Sequence, residues 1–422
     1  MEKFFITSFF LESYRLAKKK RDLKKNNIPT EIRIMEVDKP NFKLSSIDSN
    51  KMRLNLLVPS LDKKHVFGGI STALDIFSTL VSQWNCDARI IVTDHPYDKK
   101  GSVNLEGFIY DQSDVYHEKQ IVSVAEKTED DIYIGKNDIF MATAWWTAYI
   151  IESIIYWQSN QYKTDQVPFI YLIQDYEPGF YSWSSHYLMA DSTYKSEIPK
   201  IAIFNSKELM DFMQSKSNNF KKQFYFEPKL NKTLLTYLKT NKDNIRKEKK
   251  VVLYGRPTVA RNAFTLVVMA LRLWSKTQPD IEDWEIISMG EDHDDILLEN
   301  NAVIKSTGKM SLEKYAETLS TAYMGISLMV SPHPSYPPLE MSTFGIKTIT
   351  NTFENKDLSS FNDNIISLTV CNDSTIANAL SQLANKFSTS CKIDLNSEYA
   401  NPADQFLDLT YEIHDEFMNT LM

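Results

Sequence analysis

The chain has 422 residues, enough for about two or three domains that each bury a hydrophobic core. A hydrophobic fraction of 43% and a charged fraction of 24% are typical of a soluble globular protein. The formal net charge of −8 argues against a broad nucleic-acid-binding face, which would need a surplus of basic residues. Cys86, Cys371 and Cys391 are far apart and form no C-x-x-C pair, so a disulfide scaffold and a zinc cluster are both disfavoured.

The N-terminus does not have the pattern of a secretory signal, because its apolar residues come first and its lysines follow. No uncharged apolar run approaches the roughly 18 residues of a membrane-spanning helix. These two observations, together with three widely spaced cysteines, predict a cytoplasmic protein. Residues 1–50 are interpreted as an N-terminal extension, aromatic at 4–14 and basic at 18–25. The extension either contacts an anionic membrane surface or docks on the body through its phenylalanines.

From residue 53 onward, short apolar runs alternate with amphipathic segments. After a first predicted strand at 54–59, the Gly68-Gly69 turn leads into a predicted helix at 71–84, and another helix is predicted near Trp145. Strands that alternate with helices are typical of a mostly parallel sheet covered on both faces. The further strands predicted in this half are 89–93, 138–142, 169–173, 201–204 and 223–226.

A polar, lysine-rich stretch at 229–250 predicts a linker or boundary. A second alternating series follows, with helices at 311–322, capped by Ser311, and at about 375–387. The acidic amphipathic tail at 403–422 is predicted to return to the first half. The strands predicted in the second half are 251–254, 284–289, 302–306, 324–330, 346–350 and 365–370.

These elements predict an α/β protein with two doubly wound, Rossmann-like domains that face a cleft. The N-terminal domain is placed at 51–245, joined by the C-terminal helix, and the C-terminal domain at 246–402. In such folds, ligands bind at the carboxyl ends of the strands.

The stretch 254–262 carries the strongest signal for ligand binding. Gly255 opens a turn after a strand, and Arg256 and Arg261 precede a helix predicted at 263–276. A helix N-terminus favours an anion, and two guanidinium groups can clamp phosphate oxygens without a metal. The alternative is that both arginines are solvated loop charges.

Four motifs stand at predicted strand ends: Gly68-Gly69 after Phe67, Gly255-Arg256 with Arg261-Asn262, Gly290 with Gly308-Lys309, and the run 331–340, which ends in Glu340. Together they resemble the GT-B glycosyltransferases, and in particular the large retaining family that includes the bacterial rhamnosyltransferases of surface (S-layer) glycans. The resemblance covers about residues 53–420. It implies a nucleotide-sugar donor, with dTDP-L-rhamnose favoured, and a lipid-linked glycan acceptor.

The resemblance also implies roles for individual residues. Arg256, Arg261 and Lys309 would be catalytic, because they stabilise the departing diphosphate. Glu340 would hold the ribose hydroxyls. The leaving phosphate itself would accept the acceptor's proton, so neither a dedicated base nor a cofactor is expected. The implied donor-binding residues are Gly68, Gly69, Gly255, Arg256, Arg261, Gly290, Lys309, Tyr336, Leu339 and Glu340.

The sequence departs from that family at several positions. Pro332 stands where the family has a glutamate that contacts the donor sugar. This favours a deoxy sugar in a less polar site, with His333 as a partial substitute. In the first half, Thr143 and Gln174 stand near positions at which the family has histidines.

Acceptor contacts are predicted for Gln174, Asp175 and Glu177, which follow the strand at 169–173. Carboxylates accept hydrogen bonds from sugar hydroxyls, and aromatic rings stack on sugar faces. Trp145 and Trp146 are near in sequence, although core packing at a helix start is the favoured explanation for both.

The run 291–295 contains an Asp292-x-Asp294 pair whose hard oxygen atoms would suit Mg²⁺ or Mn²⁺. Acids are also ordinary residues in the first turn of a helix, and a helix is predicted to begin here. We therefore predict no metal site.

Three rival functions stay open. A sugar-nucleotide epimerase would need an acid/base set at the donor sugar, and the sequence shows no convincing one. A non-catalytic sugar-binding protein usually needs export. A membrane-surface scaffold would use the basic extension. Binding of dTDP, UDP or GDP that is lost in Arg256→Ala would separate a transferase from a scaffold.

Overall fold

The computed structural model describes residues 34–47, 50–66, 68–216, 218–401 and 406–421. The chain divides into two compact units, 1–38 and 39–422. In the first unit, a 3-10 turn occupies Met35–Val37. The aromatic and basic segment of the predicted extension lies outside the described residues. Elements of the second unit are numbered below in chain order among the described residues.

The first half of the second unit is built on a parallel sheet. Its strands, with those of a small additional sheet, are β1 (Asn41–Leu44), β2 (Arg53–Val58), β3 (Asp87–Val92), β4 (Ile109–Tyr110), β5 (Lys119–Ser123), β6 (Asp131–Ile134), β7 (Asp138–Ala142), β8 (Phe169–Ile173), β9 (Lys200–Phe204) and β10 (Lys222–Tyr225). The main sheet has the order β10-β9-β8-β7-β2-β3-β5-β4, and β1 pairs with β6. Every pairing in both sheets is parallel.

The second half contains another sheet. Its strands are β11 (Glu248–Gly255), β12 (Glu285–Gly290), β13 (Ile296–Leu297), β14 (Val303–Ser306), β15 (Ala322–Ile326), β16 (Lys347–Asn351) and β17 (Ile365–Leu368). Their order is β13-β14-β12-β11-β15-β16-β17. The short β13 runs antiparallel to β14, and the other pairs are parallel.

Helices connect these strands and cover them. They are α1 (Gly69–Trp84), α2 (Trp145–Tyr162), α3 (Ser185–Lys195), α4 (Lys207–Gln214), α5 (Lys232–Asn241), α6 (Phe264–Thr277), α7 (Leu312–Thr321), α8 (Tyr336–Thr343), α9 (Asp373–Ala384) and α10 (Leu407–Leu421). Ser311 caps α7 by accepting a hydrogen bond from the Lys314 amide, as its position in the sequence predicts.

Both faces of the first sheet are buried, which explains why its strands read as continuous apolar runs. In β2, Leu54 and Leu56 pack into the core on one face, while Leu57 packs into the core on the other. The fold class and the strands and helices predicted from periodicity are confirmed, with shifts of a few residues at their ends.

The prediction missed strands β1, β4, β5, β6 and β13. In β5, the buried Gln120 interrupts the apolar pattern, and its amide donates to the Asp111 carbonyl at 2.9 Å. Strand β1 lies inside the predicted extension at 1–50, yet it pairs in register with β6 of the first half. That end of the predicted extension is therefore part of the second unit.

The lysine-rich segment predicted as a linker contains helix α5. Its leucines, Leu234, Leu235 and Leu238, are buried in a core with Phe344 and Ile346 of the second half. The polar residues of this segment are the solvent face of an amphipathic helix, so the part of the predicted linker or boundary that forms α5 is folded into the second half.

The C-terminal helix α10 returns to the first half, as predicted for the tail. Leu409, Ile413 and Phe417 are buried in the same core as α1, and the rings of Phe417 and Trp84 lie 5.0 Å apart between centroids. Among the described residues, none of the helices combines the length and the apolar character needed to cross a bilayer.

Candidate active site

The carboxyl ends of β11, β12 and β14 come together through glycine turns. The Glu291 amide donates to the Gly255 carbonyl at 2.9 Å, and the Gly290 amide donates to the Gly308 carbonyl at 3.0 Å. A Cβ at Gly255 would lie 2.0 Å from Ser288 Oγ, and Gly290 has a φ of +130°. The turns at this edge of the sheet therefore require glycine, because a side chain at Gly255 has no room and the φ of Gly290 lies in a region that other residues rarely adopt.

We expect Gly255→Ala to lower the free energy of unfolding by about 1–3 kcal/mol, because the added methyl overlaps Ser288 Oγ. Urea denaturation measures the loss. Adding Ser288→Ala removes the clashing hydroxyl and should restore part of the stability. Equal midpoints for Gly255→Ala and wild type would contradict this packing.

Arg256 follows Gly255 and is held by an acid of its own half. Its Nε lies 3.2 Å from Glu291 Oε1, while Thr258 donates to Glu291 Oε2 from its amide at 3.0 Å and from its hydroxyl at 2.7 Å. Burial opposes ionisation of Glu291, but these hydrogen bonds and Arg256 hold its pKa below the usual value. Glu291 therefore fixes both the loop and the guanidinium.

Three cations share this edge of the sheet. Burial and the nearby Arg256 lower the pKa of the exposed Lys309. Burial also lowers the pKa of Arg261; Asp175 opposes the shift and Arg256 adds to it. Arg256 therefore acts electrostatically on both of the other cations that the sequence predicts for the phosphate site.

Arg261 points towards the first half of the chain. It lies in the 3-10 turn Ala260–Asn262 before α6, and its carbonyl accepts from the Val330 amide at 2.8 Å. Its guanidinium carbon lies 4.1 Å from the ring centroid of Phe180, and its Nε lies 3.4 Å from Asp175 Oδ2. The contact with Asp175 is an ion pair without a hydrogen bond, since Arg261 Nε has no hydrogen-bond partner among the described residues.

Asp175 links the two halves. It follows β8 and is 8% exposed; its Oδ1 accepts from the Tyr176 amide at 2.8 Å and from the Ser331 hydroxyl of the second half. Lys356 is fully buried, and its Nζ donates to the Met329 carbonyl at 2.6 Å. Burial lowers the pKa of Lys356 to about 8, and Asp175 is the anion that opposes this shift.

Sequence reasoning did not identify Lys356. It lies in a turn closed by reciprocal backbone hydrogen bonds with Phe353, and no motif surrounds it. Its proximity to Asp175 arises from folding alone.

Glu177, predicted as an acceptor residue, is engaged within the first half. Its Oε2 accepts from the Trp145 amide at 2.5 Å, at the N-terminus of α2, and the side chain is buried. Burial raises the pKa of Glu177 to about 8, and the negative charge of Asp175 adds to the rise. The hydrogen bond from the Trp145 N–H and the positive charge of Arg261 oppose it. This geometry is that of a helix cap.

The other first-half candidates contact one another. Gln174 Nε2 donates to the Gly69 carbonyl at 3.1 Å, and a Cβ on Gly69 would lie 2.7 Å from Gln174 Oε1. Gly68 has a φ of +40° and stands at the start of α1. Phe67 lies outside the described residues. Trp145 is fully buried, which agrees with the core-packing alternative for that residue.

Glu340 lies on α8 beneath a group of tyrosines. The Tyr315 hydroxyl donates to its Oε2 at 2.9 Å. Burial raises the pKa of Glu340 to about 7, and Tyr315 opposes the rise. Burial raises the pKa of Tyr336 to about 12, and the charge of Glu340 makes a smaller contribution to this rise. Leu339, the neighbouring candidate, is buried at 2% exposure, and its carbonyl accepts from the Ser342 hydroxyl at 3.0 Å and from the Thr343 hydroxyl at 2.8 Å.

The side chains of the acidic run 291–295 make contacts with neighbouring residues of the second half. Glu291 holds Arg256, Asp295 Oδ1 accepts from the Ser306 amide at 2.8 Å, and His293 Nε2 contacts Ser288 Oγ at 2.8 Å. No helix begins here; the run is irregular and leads into β13, so that prediction was wrong. Across the described residues, no group of three or more His, Cys, Asp or Glu side chains is arranged to hold a metal ion.

Comparison with protein families gives two matches. Residues 53–207 match the N-terminal domain of WsaF, and residues 249–381 match its C-terminal domain, so that the two together cover more than half of the chain. The O-antigen biosynthesis protein RfbC of Myxococcus xanthus is 24% identical over 288 residues, which are 68% of this chain and 21% of RfbC. The chain therefore spans about a fifth of the length of this curated relative.

Two solved structures share the fold. Sucrose-phosphate synthase from Thermosynechococcus elongatus aligns with a TM-score of 0.57 at 11% identity, covering 88% of this chain and 99% of that chain. TarM aligns with a TM-score of 0.52 at 10% identity, with the same coverage of 88% and 99%. At these identities the likeness is one of fold, and that fold is GT-B, with two Rossmann-like domains.

Proposed function

This chain is a glycosyltransferase of the WsaF family with the GT-B fold, and from that premise we propose that it transfers L-rhamnose from dTDP-L-rhamnose to a lipid-linked surface glycan. The transfer retains the anomeric configuration and needs no metal. The name of RfbC, an O-antigen biosynthesis protein, supports a glycan of the bacterial surface as the product. Family membership favours a transferase over the two rival functions, an epimerase and a scaffold.

One observation carries the proposal. Arg256 acts electrostatically on Arg261 and on Lys309, beside the glycine turns at the carboxyl ends of β11, β12 and β14. A diphosphate is the ligand that such a site fits, because guanidinium groups bind its oxygens in pairs and the glycines allow close approach. The cations stabilise the charge that develops when the sugar–phosphate bond breaks.

The remaining residues take roles around that centre. Glu340 accepts hydrogen bonds from the ribose hydroxyls, and Tyr336 with the backbone at Leu339 borders the diphosphate at the start of α8. Gly68 and Gly69 bring the first half close to the donor. Gln174, Asp175 and Glu177 form the acceptor side, where Asp175 and Gln174 contact substrate and Glu177 positions α2.

Titration calorimetry with dTDP, UDP and GDP and their sugar conjugates tests the donor assignment. Micromolar binding of dTDP and dTDP-L-rhamnose, with weaker binding of the other two bases, is the expected result. Mass spectrometry of the product formed on a lipid-linked acceptor then identifies the transferred sugar. If none of these nucleotides and sugar conjugates binds, the proposal is refuted.

We expect turnover to persist in EDTA, because cationic side chains occupy the place that a metal would take at the diphosphate. Asp292→Asn and Asp294→Asn, which alter exposed carboxylates, should match the wild-type rate. Loss of turnover in EDTA, with recovery in Mg²⁺ or Mn²⁺, would instead assign a metal role to this acidic run.

Donor binding should depend on pH through Glu340. Because the pKa of Glu340 is raised to about 7 in the empty site, ribose hydroxyls that bond to its carboxylate favour the ionised form, and binding releases a proton. Affinity should therefore increase up to about tenfold from pH 6 to pH 8 and level off above the pKa.

The probe for this measurement is dTDP-L-rhamnose, whose esterified diphosphate lacks the phosphate ionisation near pH 6 that free dTDP has. Glu340→Gln is the matched control, since its amide does not titrate and its profile should be flat. A pH profile that is identical in the variant and the wild type would show that another group is responsible.

A further inference from the structure

A tryptophan and a leucine project into solvent at the start of α3. The side chain of Trp183 is 97% exposed, and Leu188 is 68% exposed. Tryptophan is highly buried on average in folded proteins, because its ring carries one of the largest apolar surfaces of any side chain. Together these two residues form what is named here the Trp183 surface, and its exposure indicates a contact outside the chain.

The start of α3 leaves this pair uncovered. Ser184 is the N-cap of the helix, and its hydroxyl accepts from the Tyr187 amide at 3.3 Å. Trp183 therefore precedes the cap, and Leu188 is the fourth helical residue. Side chains at these two positions often pack on each other at a helix start. At 97% exposure, Trp183 buries almost none of its ring in such a contact.

The loop that carries Trp183 borders the candidate active site. The Trp145 indole N–H donates to the Tyr181 hydroxyl at 2.9 Å, which holds the loop on α2. Phe180 of the same loop lies against Arg261, with 4.1 Å between the ring centroid and the guanidinium carbon. Three peptide units separate Trp183 from Phe180, so their Cα atoms are at most about 11 Å apart. The Trp183 surface therefore lies at the rim of the site, on the side of the first half.

The composition of this stretch distinguishes a lipid surface from a glycan. Residues 178–190 contain no aspartate or glutamate, although the whole chain has 55 acidic residues and a formal net charge of −8. The first acid that follows, Asp191, forms an ion pair with Lys195. Glycan sites place polar groups such as carboxylates against sugar hydroxyls, and a leucine forms no hydrogen bond with them. An acid-free surface with an indole and a leucine instead suits an anionic bilayer, where the ring lies at the depth of the headgroups.

We propose that the Trp183 surface inserts into the interface of an anionic lipid bilayer and holds the rim of the cleft against the membrane. The contact itself goes beyond the proposed function, because it needs no nucleotide sugar. Its use in transfer rests on the proposed function. A lipid-linked acceptor keeps its lipid in the bilayer, and a rim held at the membrane surface brings the attached glycan to the cleft.

Quenching of fluorescence by bromine-labelled lipid tests the insertion on the wild-type chain. All seven tryptophans lie among the described residues, and Trp183 is the exposed one. Vesicles of phosphatidylethanolamine and phosphatidylglycerol with brominated acyl chains should therefore quench part of the wild-type emission. In Trp183→Phe, which keeps an apolar ring, that part should be absent. Wild-type emission that is the same with brominated and unbrominated vesicles would overturn the inference.

Sedimentation with the unbrominated vesicles measures the contribution to affinity. Trp183→Ala should bind about tenfold more weakly than wild type, because the interface loses the apolar area of the indole. The matched control is Tyr156→Ala on α2, which removes a ring that is 63% exposed outside this loop and should bind like wild type. Equal binding of Trp183→Ala and wild type would assign the membrane contact to another segment, such as the basic stretch at 18–25, and would contradict the proposal.

Kinetics with two acceptors separates this inference from the proposed function. Trp183→Ala should raise KM about tenfold for a lipid-linked acceptor in vesicles and leave KM unchanged for the same glycan without its lipid. A KM that rises equally for both acceptors would assign Trp183 to the glycan and rule out the membrane role. If the wild type transfers sugar to neither acceptor, the proposed function fails, while quenching and sedimentation still decide the membrane contact.

Discussion

Replacing Arg256 by alanine is expected to lower turnover about a hundredfold, because the variant loses a preorganised charge at the departing diphosphate. Arg256 Nε lies 3.2 Å from Glu291 Oε1, and the guanidinium lies close enough to Lys309 to lower the pKa of that lysine. Steady-state kinetics with dTDP-L-rhamnose, together with product analysis, measures the loss. Because the interaction strengthens in the transition state, kcat should fall more than donor affinity.

Two controls separate charge from structure in this experiment. Arg256→Lys keeps the charge but lacks the planar fork, so its activity should lie between those of wild type and Arg256→Ala. Glu291→Gln still accepts hydrogen bonds from Thr258 but lacks the ion pair with Arg256. It should lower turnover far less than the loss of the arginine does. Wild-type turnover in Arg256→Ala would remove this residue from the phosphate site.

Arg261→Ala should also reduce turnover about a hundredfold. The expected loss has two causes, the proposed contact with the diphosphate and the ion pair with Asp175 of the first half of the chain. In the proposed function the guanidinium neutralises the diphosphate; in the structure it pairs with Asp175 at 3.4 Å and lies over the ring of Phe180. Its loss leaves Asp175 with Ser331, the Tyr176 amide and the buried Lys356 as its remaining neighbours. We therefore expect a rise in KM for the acceptor in addition to the loss in kcat.

Arg261→Ala differs from Arg256→Ala in this effect on the acceptor. Asp175→Asn is the informative partner variant, since it keeps the shape of the side chain and removes the carboxylate that links the two halves. If Arg261 acts on the acceptor through Asp175, the double variant should show the same acceptor KM as either single variant. Independent, multiplying effects on acceptor KM would contradict the link, and full activity in Arg261→Ala would contradict its catalytic role.

Local pattern was sufficient to predict most of the second sheet and the glycine turns at its carboxyl edge. The apolar run at 251–254 and the glycine that follows it give a strand and a tight turn because β-branched residues favour extended backbone and glycine leaves no side chain in the turn. The structure places Gly255, Gly290 and Gly308 in one hydrogen-bonded set. The capping of α7 by Ser311 follows in the same way from a contact between neighbours in sequence.

Predictions failed where the decisive partner is distant in sequence. The lysine-rich segment at 229–250 was predicted as a linker or boundary, but three leucines on one face of α5 are buried in a core that forms only in the folded second half. Strand β1 pairs with β6, some ninety residues away, and its four residues carry no strong strand signal by themselves. The acids at 291–295 were assigned to a helix start, whereas contacts with Arg256 and Ser306 hold them in an irregular loop.

The sequence by itself determined the two alternating α/β series, the glycine turns at the strand ends and the presence of two arginines beside one of them. These are consequences of residue type and spacing over a few positions. Only the tertiary structure decided that Arg261 faces Asp175, that Glu177 caps α2, and that Lys356 and His333 are buried where the two halves meet. Such pairings depend on which strand ends become neighbours in the folded sheets, and the free energy that selects them comes from burial across the whole core rather than from any local run of residues.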